Sequence, residues 1–217
     1  MLHCALLILA FLYGTCSIFS GQVCNCAERV YVQAEVYDAF VDKLVAKMKE
    51  VKFGPPKESG VEYGALISGD HRNKVQAMLD RAVADGATVL CGGNKVEGPG
   101  YFFEPTVLAD VKQDSEIVQK EVFGPVLPVM KFETFDEALD LANDCEYGLT
   151  SSLFTNDYRL IERARSELLF GETYINRFHF ETIQGFHAGY RKSGIGGADG
   201  KHGLMEYFQT KVVYVQQ

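Results

Sequence analysis

Apolar and polar residues follow two different periods along most of the chain, and these periods predict helices and strands in turn. Apolar side chains recur at helical spacing in five segments, 34–51, 70–85, 134–143, 158–168 and 201–208. Short, mostly β-branched or apolar runs lie between them and predict strands at 29–33, 87–91, 101–108, 126–132, 149–154, 172–176 and 211–215. Repeated strand–helix units predict an α/β fold, built as a doubly wound and mainly parallel sheet.

Residues 1–19 do not follow this pattern. Their apolar run at 5–13 has the length of a signal-peptide core and is too short to span a bilayer, but no Lys or Arg precedes it. Two interpretations stay open: a signal or anchor, or unrelated sequence placed upstream by a truncated reading frame. The second favours a cytoplasmic protein, and the first a secreted or membrane-associated one. No segment after residue 20 is predicted to span a membrane.

Composition limits the possible functions. A chain of 217 residues can bury one large core, and its net charge of −8 argues against nucleic-acid binding, which needs a clustered basic face. Six cysteines are spaced irregularly: Cys4, Cys16, Cys24, Cys26, Cys91 and Cys145. No second close pair or nearby histidine completes a zinc set around Cys24 and Cys26, so we predict no metal site and reduced, intracellular thiols.

Cys24 is the candidate nucleophile. It stands between a turn containing Gly21, where the backbone can approach a substrate closely, and the strand-like run that begins at residue 29. A thiolate is the reactive form of cysteine, and a neighbouring helix N-terminus would favour it by lowering the thiol pKa. From the residue type alone, a buried and inert thiol is the more common case.

Four separated motifs add a family resemblance. They are Gly-Gln-Val-Cys at 21–24, Glu-Val-Phe-Gly-Pro-Val at 121–126, Tyr-Gly-Leu-Thr at 147–150 and Lys-Ser-Gly-Ile-Gly at 192–196. Together they make residues 20–217 resemble the aldehyde dehydrogenases. The segments 24–29 and 185–189 are most similar to the lactaldehyde and glycolaldehyde dehydrogenase branch of that family.

The resemblance implies a reaction and a cofactor. The Cys24 thiolate would attack an aldehyde to give a thiohemiacetal, with its own backbone N–H as an oxyanion donor. Hydride transfer to NAD or NADP would leave a thioester, which water hydrolyses to the acid. Glu121 matches the family's carboxylate that holds the nicotinamide ribose hydroxyls, and Phe123 matches the residue beside the ring. Without the family, Glu121 is read as an ordinary surface acid and Phe123 as a core residue.

The substrate contacts are expected near the loop 181–187. Asn25, Glu181 and His187 would hydrogen-bond the hydroxyls of a small polar aldehyde, which fits a hydroxyaldehyde better than a fatty one. A purely structural histidine is the alternative for His187.

The resemblance also predicts what lies outside this sequence. Residues 20–217 match a catalytic domain that ends in an oligomerisation strand at 211–215, so a homo-oligomer is expected. The N-terminal cofactor-binding domain, the glutamate base and the oxyanion-hole asparagine of the family lie upstream of the nucleophile and are absent. Three classes therefore compete: a truncated dehydrogenase, an inactive fragment that associates with full-length subunits, and a secreted thiol protein.

Overall fold

The fold was obtained as a computed structural model, which describes residues 19–177, 179 and 181–217. The interpretation of 1–19 as an apolar leader therefore lies, apart from Phe19, outside the described residues. Eight strands occur in this part of the chain: β1 (Val30–Gln33), β2 (Thr88–Cys91), β3 (Thr106–Ala109), β4 (Val126–Phe132), β5 (Thr150–Leu153), β6 (Glu172–Ile175), β7 (His187–Ala188) and β8 (Gly197–Ala198). Six α-helices accompany them: α1 (Ala34–Glu50), α2 (Gly69–Ala84), α3 (Glu116–Gln119), α4 (Phe135–Asn143), α5 (Tyr158–Glu167) and α6 (Gly200–Met205).

A four-stranded sheet in the order β1-β4-β3-β2 forms the centre. β4 is parallel to both β1 and β3, and β2 is the antiparallel edge strand. Side chains along β4 point alternately to the two faces: Leu127 and Val129 join the core cluster under α1, whereas Val126 and Met130 join the cluster under α2. Because both faces are covered by helices, the sheet is doubly wound.

A second layer carries the rest of the chain. β5 and β6 form a parallel pair in register from Thr150–Glu172 to Leu153–Ile175, and α4 and α5 belong to this layer. Asp157 caps α5 by accepting from the Arg159 N–H at 2.9 Å, as its position before the helix predicts. β7 and β8 make a short antiparallel pair before α6.

The predicted α/β class with mainly parallel pairing is confirmed, and most element ends agree within two residues. The strand predicted for 101–108 is shorter, because only Thr106–Ala109 pairs along its length. Phe103 makes an isolated bridge to Lys95 instead. Pro105 has no N–H to donate to a sheet, which explains why the ladder starts after it.

The strand predicted for 211–215 is not seen as a strand. Its apolar residues Val212, Val213, Tyr214 and Val215 are exposed. A strand needs a neighbouring backbone, and no described residue of this chain supplies one to that segment. None of the helices in the described residues combines the length and the apolar character that a membrane span requires.

Candidate active site

The Cys24 thiol lies on a turn before β1. The Cys26 N–H donates to Val23 O at 2.9 Å and closes this turn, which places Cys24 and Asn25 in its middle. The next α-helix, α1, begins only at Ala34. A turn and then a strand follow the cysteine, so no α-helix begins beside the thiol in the chain.

Two polar side chains fix the backbone before Cys24. Ser20 is 1% exposed and its hydroxyl donates to Gly64 O at 2.8 Å, with φ at +60°. Gln22 accepts from the Ile67 N–H at 2.9 Å and donates to Phe19 O at 2.8 Å. A positive φ at a non-glycine residue costs about 1 kcal/mol, so these bonds hold a conformation that the free chain disfavours.

The two neighbouring thiols have opposite environments. Cys24 is exposed, whereas Cys26 is buried. Burial raises the pKa of the Cys26 thiol to about 11, so Cys26 stays protonated at neutral pH. The structure thus favours Cys24 as the accessible nucleophile of the pair.

Cys24 opens into a cavity of about 440 Å³. Its walls come from β1, β5 and α4, and its lining includes Glu121, Lys120 and His179 as well as Cys24. The carboxylate of Glu121 is exposed and shares this cavity with the thiol, although the two residues are far apart in the sequence. An acceptor-only carboxylate at this place fits the paired hydroxyls of a nicotinamide ribose.

Three side chains hold the backbone of the segment 121–123. The Glu28 carboxylate accepts from the N–H groups of Val122 and Phe123, both at 3.0 Å. His71 Nε2 donates to Phe123 O at 2.7 Å, and Lys74 Nζ donates to Glu121 O at 3.2 Å. Phe123 is partly buried and its ring meets the edge of His71, so it lies beside the cavity wall and is not part of its lining.

Asn25 and Glu181 lie together but, like His187, are not part of the cavity lining. Asn25 Nδ2 donates to Glu181 Oε2 at 2.9 Å, directly beside the nucleophile in the chain. His187 is not part of this pair: its Nδ1 donates to Glu172 Oε2 at 3.1 Å. The same carboxylate oxygen accepts from the Tyr174 hydroxyl at 2.8 Å.

His179 connects these two pairs and was not anticipated. Its ring contacts the Tyr174 ring at 5.4 Å between centroids, and its Nδ1 donates to Asn25 O. Since Nδ1 carries the proton of the neutral ring, Nε2 is an acceptor, and it is buried with no partner among the described residues. Burial lowers the pKa of His179, so the ring stays neutral. The flanking residues 178 and 180 lie outside the described residues, and no motif marks the histidine.

Arg29 lines the cavity and connects three other segments of the chain that line it. Its guanidinium donates to Val118 O at 3.1 Å, to Ala142 O at 3.0 Å and to Cys145 Sγ at 2.9 Å. A planar group with five donors can satisfy several acceptors at once. Arg29 therefore fixes the start of β1 against both α3 and the end of α4. In the described residues no group of three or more His, Cys, Asp or Glu side chains is placed to hold a metal ion.

A family model confirms the resemblance that the four motifs indicate. The model described as the aldehyde dehydrogenase family matches residues 8–213, which is nearly the whole chain. The chain belongs to the aldehyde dehydrogenase family. The match includes residues 8–19 of the apolar segment.

Individual aldehyde dehydrogenases are similar over the same region. Lactaldehyde dehydrogenase of Escherichia coli strain K12 is 56% identical over 200 residues, covering 92% of this chain and 42% of the relative. A crystal structure of lactaldehyde dehydrogenase from Escherichia coli superposes with a TM-score of 0.96 at 52% identity, covering 99% of this chain and 45% of that one. A betaine aldehyde dehydrogenase from Staphylococcus aureus, solved with NAD+, gives a TM-score of 0.90 at 40% identity, covering 94% and 41%. The chain thus spans less than half the length of these relatives.

Proposed function

We propose that this chain carries the nucleophile and the nicotinamide-ribose contact of an NAD(P)-dependent aldehyde dehydrogenase for small hydroxyaldehydes. One observation carries the proposal: the exposed Cys24 thiol and the Glu121 carboxylate line a single cavity. The relatives named above oxidise aldehydes by name, and one is solved with NAD+. We favour NAD, with NADP as the alternative cofactor.

The chemistry of this chain's residues follows from that cavity. The Cys24 sulfur bonds to the aldehyde carbon, and the thiol proton passes to solvent while the carbonyl oxygen becomes the hydroxyl of a thiohemiacetal. A bound nicotinamide supplies the acceptor for the hydride that leaves this carbon. Loss of that hydride, with the hydroxyl proton passing to solvent, would leave a thioester, which water would hydrolyse to the carboxylic acid and the free thiol. Glu121 would accept from the ribose hydroxyls of the bound cofactor, and Phe123 would flank its nicotinamide ring.

The polar residues around Asn25 are proposed to select the substrate. Asn25, Glu181 and His179 lie next to the nucleophile, and His187 adds a second polar pair with Glu172. His179 lines the cavity, and its Nε2 is buried without a partner among the described residues, so a substrate hydroxyl would reach this nitrogen after a small movement of the ring. An apolar aldehyde would leave that nitrogen unpartnered, as it is in the free chain, so only a hydroxylated aldehyde would gain this hydrogen bond.

This selectivity is testable without turnover, because reactive esters give the same thioester. We expect p-nitrophenyl glycolate to acylate Cys24 faster than an apolar ester of similar size, p-nitrophenyl propionate. In His179→Phe the ratio of the two second-order rate constants should fall about fivefold, the worth of one hydrogen bond. His202→Phe, an exposed ring outside the cavity lining, is the control and should keep the wild-type ratio. An unchanged ratio in His179→Phe would contradict the role of this histidine.

Turnover decides between an active and an inactive chain. Our expectation is that the purified 217-residue chain reduces little or no NAD with glycolaldehyde, because it spans only 42–45% of the length of its lactaldehyde dehydrogenase relatives. NADH formation followed at 340 nm, compared with Cys24→Ala, is the measurement. Robust NADH production that disappears in Cys24→Ala would show that this chain alone suffices.

The alternative function is association with full-length subunits. Exposed apolar residues near the C-terminus favour this association. Four of them are 62–92% exposed: Tyr207, Phe208, Tyr214 and Val215. We propose that the segment 211–215 becomes a strand in a homo-oligomer or against a longer subunit. We also propose a cytoplasmic location, because the four cysteines among the described residues are free thiols and disulfides are rare in the cytoplasm.

A further inference from the structure

Glu28 connects the nucleophile segment to the segment that carries Glu121. It follows Cys24 by four positions, lines the same cavity, and accepts through Oε2 from the Val122 N–H and through Oε1 from the Phe123 N–H. Both bonds span more than ninety residues of sequence. A single carboxylate therefore takes both backbone donors next to Glu121.

The segment 121–123 needs such support. Phe123 has φ at +57°, a left-handed conformation that a non-glycine residue adopts only when its surroundings impose it. The next residue, Gly124, packs so closely on α2 that an added Cβ would lie 2.9 Å from Val75 Cγ2. His71 and Lys74 hold the carbonyl side of the segment from α2, whereas Glu28 holds its N–H side from the nucleophile segment.

We propose that Glu28 is a positioning residue, which fixes the backbone of residues 121–123 so that the Glu121 carboxylate faces the Cys24 cavity. The inference rests on the proposed function, in which Glu121 binds the nicotinamide ribose. Glu28 touches neither substrate nor cofactor in this role. It acts through the orientation of Glu121.

The charge state of Glu28 should control how firmly it holds the segment. Burial raises its pKa to about 7, the two N–H bonds and Lys74 oppose this rise, and Glu121 adds to it. Cys26 is neutral in this range, and His71 faces the far side of the segment. Above pH 7 both oxygens of the carboxylate accept fully. Below it one oxygen carries the proton, becomes a poor acceptor, and releases one of the two N–H groups.

The linkage to global stability has the opposite sign. Because the folded-state pKa lies above the ordinary carboxyl value of 4.5, the folded chain binds a proton that the unfolded chain has lost. The contribution of Glu28 to the free energy of unfolding therefore falls as pH rises from about 4.5 to 7, and is level above that. Order in the segment 121–123 increases over the upper part of that range while global stability decreases.

Amide NMR of the 15N-labelled 217-residue chain tests the positioning directly. In the wild type, the Val122 and Phe123 amide shifts should titrate with a midpoint near pH 7. Glu28→Gln keeps the side-chain volume but presents only one acceptor oxygen, so the titration should vanish and exchange protection at one of the two amides should fall about tenfold. Glu121→Gln is the matched control: it should keep the protection and still titrate, with a lower midpoint because Glu121 no longer raises the pKa of Glu28. Unchanged shifts and protection in Glu28→Gln, or no titration in the wild type, would overturn the proposal.

Cofactor protection of Cys24 separates this proposal from the function on which it rests. NAD should slow acylation of Cys24 by p-nitrophenyl acetate in the wild type, and about tenfold more NAD should be needed in Glu28→Gln. Equal protection in both chains would overturn the positioning role. No protection in the wild type would contradict the proposed cofactor contact, and the amide result would still decide whether Glu28 orders the segment.

Discussion

Replacing Cys24 by alanine is expected to abolish acylation of the described part of the chain by p-nitrophenyl acetate. Among the four cysteines described, Cys24 alone is exposed; Cys26 and Cys91 are buried, and Cys145 is partly buried beside Arg29. Burial raises the pKa of both Cys26 and Cys91, which keeps them as unreactive thiols. We expect the modification rate at this site to fall by at least about a hundredfold in Cys24→Ala.

Peptide mapping after acylation identifies the modified residue. The intact mass should increase by one acetyl group at low reagent ratio, and the label should lie in the peptide that contains Cys24. Cys26→Ala is the matched control, because it removes a thiol two residues away and should leave acylation close to the wild-type rate. Label on Cys26, or full labelling of Cys24→Ala at Cys145, would refute the assignment of the nucleophile.

The parts of the fold that the sequence predicts well are those governed by local pattern. Phe40, Leu44 and Met48 recur at helical spacing and are buried on one face of α1, as predicted. β4 has the predicted bounds because all its residues from Val126 to Met130 are apolar or proline, and a strand covered on both faces requires this. Burial of these positions depends on the residues themselves, so a single sequence suffices to locate them.

Contacts between residues far apart in the sequence are harder to predict from the local pattern. The motif at 121–126 pointed to Glu121 and Phe123, but nothing in the local pattern shows that Glu28 receives their N–H groups. His179 is a second example. Its proposed role depends on a ring nitrogen without a hydrogen-bond partner, and only the packing around Asn25 and Tyr174 reveals that nitrogen. The same limit explains the segment 211–215: its residues have strand propensity, but a strand also needs a pairing backbone that propensity does not supply.

The second large effect is expected in the core. Phe103 is 1% exposed and packs in the cluster under α2 with Leu108, Val122 and Val126, so it supports both β3 and the segment that carries Glu121. Phe103→Ala should lower the free energy of unfolding by about 3–5 kcal/mol, since the cavity left by a phenyl ring is only partly refilled.

Urea unfolding followed by circular dichroism measures this loss, with Tyr207→Ala as the control. Tyr207 is also aromatic but 87% exposed, so its replacement should change the free energy of unfolding by no more than about 0.5 kcal/mol. Because the Tyr63 hydroxyl donates to the backbone carbonyl of Phe103 at 2.9 Å, that bond survives the substitution and the loss reports packing alone. Equal destabilisation by the two variants would mean that Phe103 is not in the core. A loss confined to Phe103→Ala, together with weaker exchange protection at Val122, would show that the core under α2 supports the backbone beside Glu121.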